Sequence, residues 1–273
     1  MINLLTTVKN TINENRVLPF SVYTSVKEQK LLNVPIVKPL LIIVLSGDKE
    51  IGKDKKVVCH SGDFIFLSDS SGINIRNIPK DQEYFALLIE FDQQDFDAFQ
   101  VNSPQVNAIN KQHYYVGKTT PVLEQCLQQF VESSLWAPEQ LWPLRKREII
   151  ELLCLMGHKE ILSMVGNSKV GRRLNDMFYE QDFHELSIEF ICNQLAMSES
   201  TLRRKLKSEG TSVQKIKDQA KLGLGLHLLQ TTRHSIGLIA EQCGYQSQSR
   251  FADRFKGRFG LTPSELRKTK MAG

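Results

Sequence analysis

No apolar run in this 273-residue chain is longer than PLLIIVL, Pro39 to Leu45. A membrane-crossing helix needs about 20 consecutive apolar residues, so the sequence offers no such segment. The first residues, MINLLTTVKNTINENR, lack a basic segment followed by an apolar block and a small-residue cleavage site, and no secretion signal is expected. Cysteine is scarce. Cys59, Cys126, Cys154, Cys192 and Cys243 are scattered, odd in number and nowhere spaced C-x-x-C. That excludes a disulfide framework and leaves reduced, mostly buried thiols, with the cytoplasm as the expected location. Catalytic signatures are missing too: there is no G-x-S-x-G, no P-loop and no dinucleotide fingerprint.

What the chain has is charge, unevenly placed. From Ser168 to Gly273 there are 18 Lys+Arg against 11 Asp+Glu, and from Met1 to Asn167 there are 17 against 19. A basic half joined to a near-neutral half suggests a nucleic-acid-binding module attached to something else. Charge alone leaves a merely solvated basic surface equally open.

Residues from about 18 to 92 read as β-rich. PLLIIVLSG, VVCHSGDFIFLS, INIRNI and YFALLIEFD are short runs of branched and aromatic residues, separated by GDKEIGKDKK, DSSG and PKDQE, which carry turn chemistry. Short strands at such spacing favour a small barrel or sandwich. After Asp92 the period changes. PVLEQCLQQFVESSL sets Leu123, Leu127 and Phe130 at helical spacing, and the segment from Pro138 to Val165 reads as one or two helices interrupted at Gly157. Val165 to Gly171 is the best linker candidate.

Beyond Val170 the pattern is helical and repeats itself. Ser187 to Gly210 and Ser235 to Gly260 each begin Ser-Ile, run through a short apolar helix and a tight turn, and reach a second serine, Ser198 or Ser247, that can cap another helix. The second helices carry apolar pairs four apart, Leu202 with Leu206 and Phe251 with Phe255, and each segment ends in glycine. A helix, a short turn and a basic second helix make the helix-turn-helix plan. In the second unit Phe251, Phe255 and Phe259 form an anchoring stripe. The opposite face holds Ser249, Arg250 and Asp253, with Gln248 and Arg254 at its margins. In the first unit Ser200, Thr201 and Arg204 face outward, with Arg203 and Lys207 beside them. Lys256 and Arg258 near the helix end suit phosphate, as do Lys207 and Arg254.

Lys221, Gly225, Leu228-Leu229, Ile239-Ala240, Cys243-Gly244-Tyr245, Phe251, Phe255, Phe259-Gly260 and Thr262-Pro263 together resemble the signature of AraC/XylS-type transcription regulators. The closing TPSE, Thr262 to Glu265, is also a capping box. The resemblance runs from roughly Val170 to Lys270. It implies two helix-turn-helix units, about 187–209 and 235–259, joined by a central helix from about Val213 to Gln230. It also implies recognition helices in adjacent major grooves, one DNA turn or about 34 Å apart. On that pattern Ser200, Arg203, Arg204, Gln248, Ser249, Arg250 and Asp253 read bases. Asp253 departs from the family, where a basic or neutral residue is commoner. Gly223 and Gly225 are unusual in a helix interior, where each costs about 1 kcal/mol against Ala.

The first half, 1–166, is similar in outline to the cupin-like sensor domain many of these regulators carry, and its helices at about 119–165 resemble those that often mediate dimerisation. Metal cupins use a His-x-His pair with a Glu and a further His. Here His60 stands beside Cys59 and the next histidine is His113, fewer than the three ligands a catalytic metal needs. No enzyme activity, metal or cofactor is therefore expected. Lys27, Lys30 and Lys38 could meet an anionic effector, but charge of this kind is usually just solvated, and no effector-binding residue is assigned.

The expected whole is an α+β two-domain protein: a cupin-like β-barrel or sandwich with dimerisation-type helices over 1–166, and an all-α tandem helix-turn-helix domain over 167–273. The expected function is sequence-specific binding of double-stranded DNA in transcription regulation, as an activator working with RNA polymerase. The first domain senses a small effector or forms a homodimer. The alternative is a first domain that binds no small molecule and is controlled by a protein partner or by expression level.

Overall fold

The computed structural model describes residues 1–12, 16–53, 55–68, 70–100, 113–165, 170–180 and 186–270. A helix that the sequence pattern did not signal, α1 (Ile2–Thr11), comes first. Eight strands follow: β1 (Ser21–Ser25), β2 (Gln29–Ile36), β3 (Leu40–Ser46), β4 (Asp48–Ile51), β5 (Val57–His60), β6 (Asp63–Leu67), β7 (Ser70–Ile78) and β8 (Tyr84–Glu90). The short α2 (Asp97–Gln100) and strand β9 (Tyr114–Lys118) precede α3 (Pro121–Ser133), α4 (Trp142–Leu155) and α5 (Glu160–Met164). The second half is α6 (Val170–Glu180), α7 (Ile188–Leu195), α8 (Glu199–Ser208), α9 (Val213–Thr231), α10 (Ile236–Gln242), α11 (Gln248–Phe259) and α12 (Pro263–Arg267).

The strands form two antiparallel sheets, one ordered β1-β8-β3-β6-β9 and the other β2-β7-β4-β5. This explains PLLIIVL. On β3, Ile42 and Val44 face the other sheet, while Leu41, Ile43 and Leu45 face α1, α3 and α4. With helices over its outer face the five-stranded sheet is buried on both sides, and its central strand is continuously apolar rather than alternating. Two expectations are corrected here. GDKEIGKDKK is not a turn throughout, because Asp48–Ile51 is a strand paired with both β5 and β7. The switch to helix after Asp92 is also incomplete, since β9 returns to pair with β6. At that pairing Gly117 lets the Phe64 ring lie where a Cβ would come within 2.4 Å of it.

Gly157, with φ +93, separates α4 from α5. The linker candidate falls partly outside the described residues, at 166–169.

The cores do not divide as two independent domains would. The first helix-turn-helix unit has its own cluster, built from Leu174, Phe178, Ile191, Leu195, Leu202 and Leu206. The second unit instead shares one apolar cluster with the interior of the sheets. Leu222, Leu226, Leu229, Phe251, Phe255 and Phe259 are continuous with Leu31, Val34, Ile36 and Ile75. Helix α9 belongs to both clusters, through Ile216 and Ala220 at one end and Leu222 to Leu229 at the other.

Candidate nucleic-acid interface and interdomain cavity

Both helix-turn-helix units are built by the same local devices. Ser187 and Ser235 cap the first helices, accepting from the N–H groups of Phe190 at 3.1 Å and Leu238 at 3.2 Å. Ser198 and Ser247 cap α8 and α11, accepting from Thr201 at 3.3 Å and Arg250 at 3.4 Å. Each bond satisfies an N–H that the helix itself leaves free. The turns need a left-handed residue, supplied by Ala196 in the first unit and Gly244 in the second. The echo extends to the hydroxyl pairs Ser198–Ser200 at 3.1 Å and Ser247–Ser249 at 3.3 Å.

The buried faces carry the hydrophobic anchors. Leu202 and Leu206 are fully buried on α8, as are Phe251, Phe255 and Phe259 on α11. The three rings stack in sequence, with centroids 5.5 Å and then 4.5 Å apart. Gly225 lets α9 approach this stripe, since a Cβ there would lie 2.7 Å from the Phe251 ring and 3.3 Å from Cys243 Sγ. Lys221 reaches from α9 to donate to the Gly244 carbonyl at 2.7 Å and lies over the Tyr245 ring. Glu265 and Thr262 close the capping box of α12, and those hydrogen bonds hold the Glu265 carboxyl below its usual range.

The family model described as "Helix-turn-helix domain" matches residues 191–269. The chain carries an AraC/XylS-type DNA-binding domain. Over 82 residues the chain is 37% identical to the HTH-type transcriptional regulator GadX of Escherichia coli O6:H1, covering 30% of each protein. It is 30% identical over 140 residues to the HTH-type transcriptional activator RhaS of Escherichia fergusonii, covering 50% of each. The chain thus spans half or less of these two curated relatives. A solved structure of ToxT from Vibrio cholerae, with unsaturated fatty acid bound, is similar over 96% of this chain and 99% of that one. At a TM-score of 0.66 and 14% identity, this likeness concerns the fold alone. Much of the AraC/XylS signature has a physical basis in this domain, because Lys221, Gly225, Cys243, Gly244, Tyr245 and Phe251 fasten α9 to the second unit.

On α8 of this AraC-type domain Ser200, Arg203, Arg204 and Lys207 are exposed, and on α11 Gln248, Ser249, Arg250, Asp253, Arg254 and Lys256 are exposed. Arg203 is also engaged along its own helix, with an ion pair to Glu199 at 2.5 Å. Arg258, expected at phosphate, is turned elsewhere. It donates to the Ser71 carbonyl at 2.7 Å, and its own carbonyl accepts from Asn33 Nδ2 at 3.3 Å. In this conformation the end of α11 is docked on β2 and β7, with Gly260 against Leu32. The first unit is tied less directly. Arg172 of α6 donates to Gln93 at 3.1 Å, and Glu209 accepts from the N–H groups of Val170 and Gly171.

Between the sheets and α9 lies a cavity of about 290 Å³. Its apolar wall includes Leu31, Val34, Ile36, Ile42, Leu88 and Leu226, and Gly223 lines the α9 side. Its polar groups are Tyr23, Lys38, Lys49, Asn77, Glu90 and His227. Tyr23 Oη and His227 Nδ1 meet across the domain boundary at 3.4 Å. Burial pushes the His227 pKa down. Of the three lysines named from the sequence, only Lys38 lines the cavity. Burial opposes its charge, but the Asp92 hydrogen bond and the nearby acids outweigh this and raise its pKa.

Lys49 did not stand out in the sequence. It is 3% exposed, and burial lowers its pKa from 10.5 to about 7. It donates to Asn77 Oδ1 at 2.6 Å and Tyr84 Oη at 3.2 Å. Asn77 Nδ2 donates on to Gln29 Oε1 at 2.9 Å, which also accepts from Gln230 Nε2 of α9 at 3.1 Å. Gln29 Nε2 donates to Thr269 Oγ1 at 2.8 Å. A buried chain of hydrogen bonds therefore joins a cavity-lining lysine to the DNA-binding domain. The period-two spacing from Lys49 to Ile51 places the lysine inward once DKEI is taken as a strand.

Among the described residues no group of three His, Cys, Asp or Glu side chains is placed to hold a metal. His60 is instead paired with Asp48 at 2.9 Å. No described helix is long and apolar enough to cross a membrane.

Proposed function

We propose that this chain is a transcription regulator. It reads one face of duplex DNA with α8 and α11 in adjacent major grooves, and it is controlled by a small molecule held in the cavity between the sheets and α9. The observation carrying the DNA reading is the pair of serine-capped helices with exposed Arg204 and Arg250, whose buried faces share apolar clusters with the two ends of α9. A helix of this width enters the major groove, where Arg can donate two hydrogen bonds to guanine and Gln can pair with adenine. Lys207, Arg254 and Lys256 take phosphates and position the domain. Arg258 joins them only if α11 leaves the sheets.

The effector reading is supported by a cavity whose walls come from both halves of the chain. Such a ligand sees the relative placement of the sheets and the DNA-binding domain, and it shifts an equilibrium by its differential affinity for two placements. The unsaturated fatty acid bound in the ToxT structure favours an apolar molecule with an acid group. The likeness to RhaS, a transcriptional activator, favours activation, which requires contact with RNA polymerase. Exposed Val122 and Leu155 beside the groove of α3 and α4 suit a homodimer. The site of action is the cytoplasm, where the DNA lies.

The test is selection of binding sites from random DNA with full-length protein, followed by footprinting. Protection across two consecutive major grooves supports the reading. Salt-sensitive binding without any selected motif refutes it.

A further inference from the structure

Two lysines line the cavity, and their surroundings differ. Lys38 is half-buried and already balanced, since its ammonium pairs with Asp92 at 2.7 Å and Glu90 lies close by. Lys49 is almost fully buried, and among the described residues no carboxylate pairs with it. Its neighbours are Asn77 of β7, Tyr84 of β8 and Cys59 of β5, and burial raises the pKa of both Tyr84 and Cys59. Gln29 of β2 stands behind Asn77. Glu90 and His227 also line the cavity. A buried ammonium without a counter-ion is costly, and proteins keep such groups either paired or neutral. Here it borders an apolar cavity at the small end of the range that ligands occupy.

We infer that Lys49 is the residue that selects the cavity's ligand, by pairing with the single anionic head of a small amphipathic carboxylate whose apolar body lies along Leu31, Val34, Ile36, Ile42 and Leu88. This rests on the effector reading above and names its chemistry. One uncompensated ammonium matches one negative charge, and Glu90 in the same cavity repels a second, so a dianionic phosphate head is disfavoured. Pairing with the ligand also draws on the donor that Lys49 now gives to Asn77, the first link of the chain to Gln29, Gln230 and Thr269. The head group is thus read at the point from which the docking of the DNA-binding domain is held.

The experiment is calorimetric titration of the full-length protein with octanoate and with 1-octanol, repeated for Lys49→Met and Lys38→Met. Octanoate is expected to bind the natural protein more tightly than octanol. Lys49→Met should weaken octanoate by about tenfold or more and leave octanol unchanged. Lys38→Met should weaken octanoate less than Lys49→Met does. A second readout needs no variant: at about pH 8, titration in two buffers of different ionisation heat should show uptake of close to one proton per octanoate, as Lys49 becomes an ammonium. Equal affinity for the two probes, loss following Lys38→Met instead of Lys49→Met, or absence of proton uptake would each overturn the role of Lys49 while leaving an effector site standing. Failure of both probes to bind would remove the effector reading along with it.

Discussion

Replacing Lys49 by Met keeps the length of the side chain and removes the buried amine. A pKa lowered from 10.5 to about 7 means the folded protein holds this group at a cost, one that amounts to roughly 4 kcal/mol at pH 7. The substitution recovers that cost. It also leaves Asn77 Oδ1 without its 2.6 Å donor and Tyr84 Oη without its 3.2 Å donor, a loss of about 1–3 kcal/mol for each. The expected net effect is a variant within about 2 kcal/mol of the natural protein at pH 7. The sign of the pH dependence follows from proton counting. Between pH 7 and 10.5 the unfolded chain keeps the Lys49 proton that the folded protein has released, so the natural protein gains stability as pH rises through this window. The variant lacks this gain, and its stability relative to the natural protein should fall by about 2 kcal/mol from about pH 7 to pH 9. Cys59 is pushed up to about 11 by burial, and burial also raises Tyr84, so neither ionises in the folded protein in that interval, and their ionisation in the unfolded chain is common to both proteins. Urea unfolding of both proteins at the two pH values, with slopes compared, provides the measurement. A stability difference that stays constant with pH would refute the depressed lysine, and with it the charge argument for the cavity.

Four further outcomes are expected. Arg204→Ala and Arg250→Ala should each cost about 1–3 kcal/mol of specific DNA binding and relax preference at one position, as read by selection and binding titrations; unchanged affinity and unchanged preference for both would remove them as base readers. Lys207→Ala should weaken binding evenly across sequences and lower the salt slope by about one, measured from affinity against salt concentration. Gly225→Ala places a methyl 2.7 Å from the Phe251 ring, and a loss of about 1–3 kcal/mol from overpacking should exceed the gain of about 1 kcal/mol in helix propensity, giving a lower unfolding midpoint. Thr262→Ala deletes one half of the α12 capping box and should cost about 0.5–2 kcal/mol in the same unfolding assay.

The helix-turn-helix units are legible in the sequence because their determinants are local. Ser198 and Ser247 cap helices that begin at the next residue, and Leu202 with Leu206 or Phe251 with Phe255 lie one turn apart. The central helix, expected over about Val213 to Gln230, runs from Val213 to Thr231 for the same reason. The β-rich half is legible as a class but not strand by strand. Asp48–Ile51 looks like a turn because three of its four residues are charged, and β9 looks like part of a connection because nothing near it in sequence shows what it pairs with.

By itself, then, the sequence determined the pattern of exposed and core-facing residues along α8 and α11, since helical period and capping act over a few residues. Only the tertiary structure decided where those helices are docked and what lies between them. Arg258 meets Ser71 across 187 positions, Gln230 meets Gln29 across 201, and Thr269 meets Gln29 across 240. The inward turn of Lys49 follows from the register that pairs β4 with both β5 and β7. Contacts of that span leave no periodic trace in the chain, because they depend on which faces of separately formed elements bury one another.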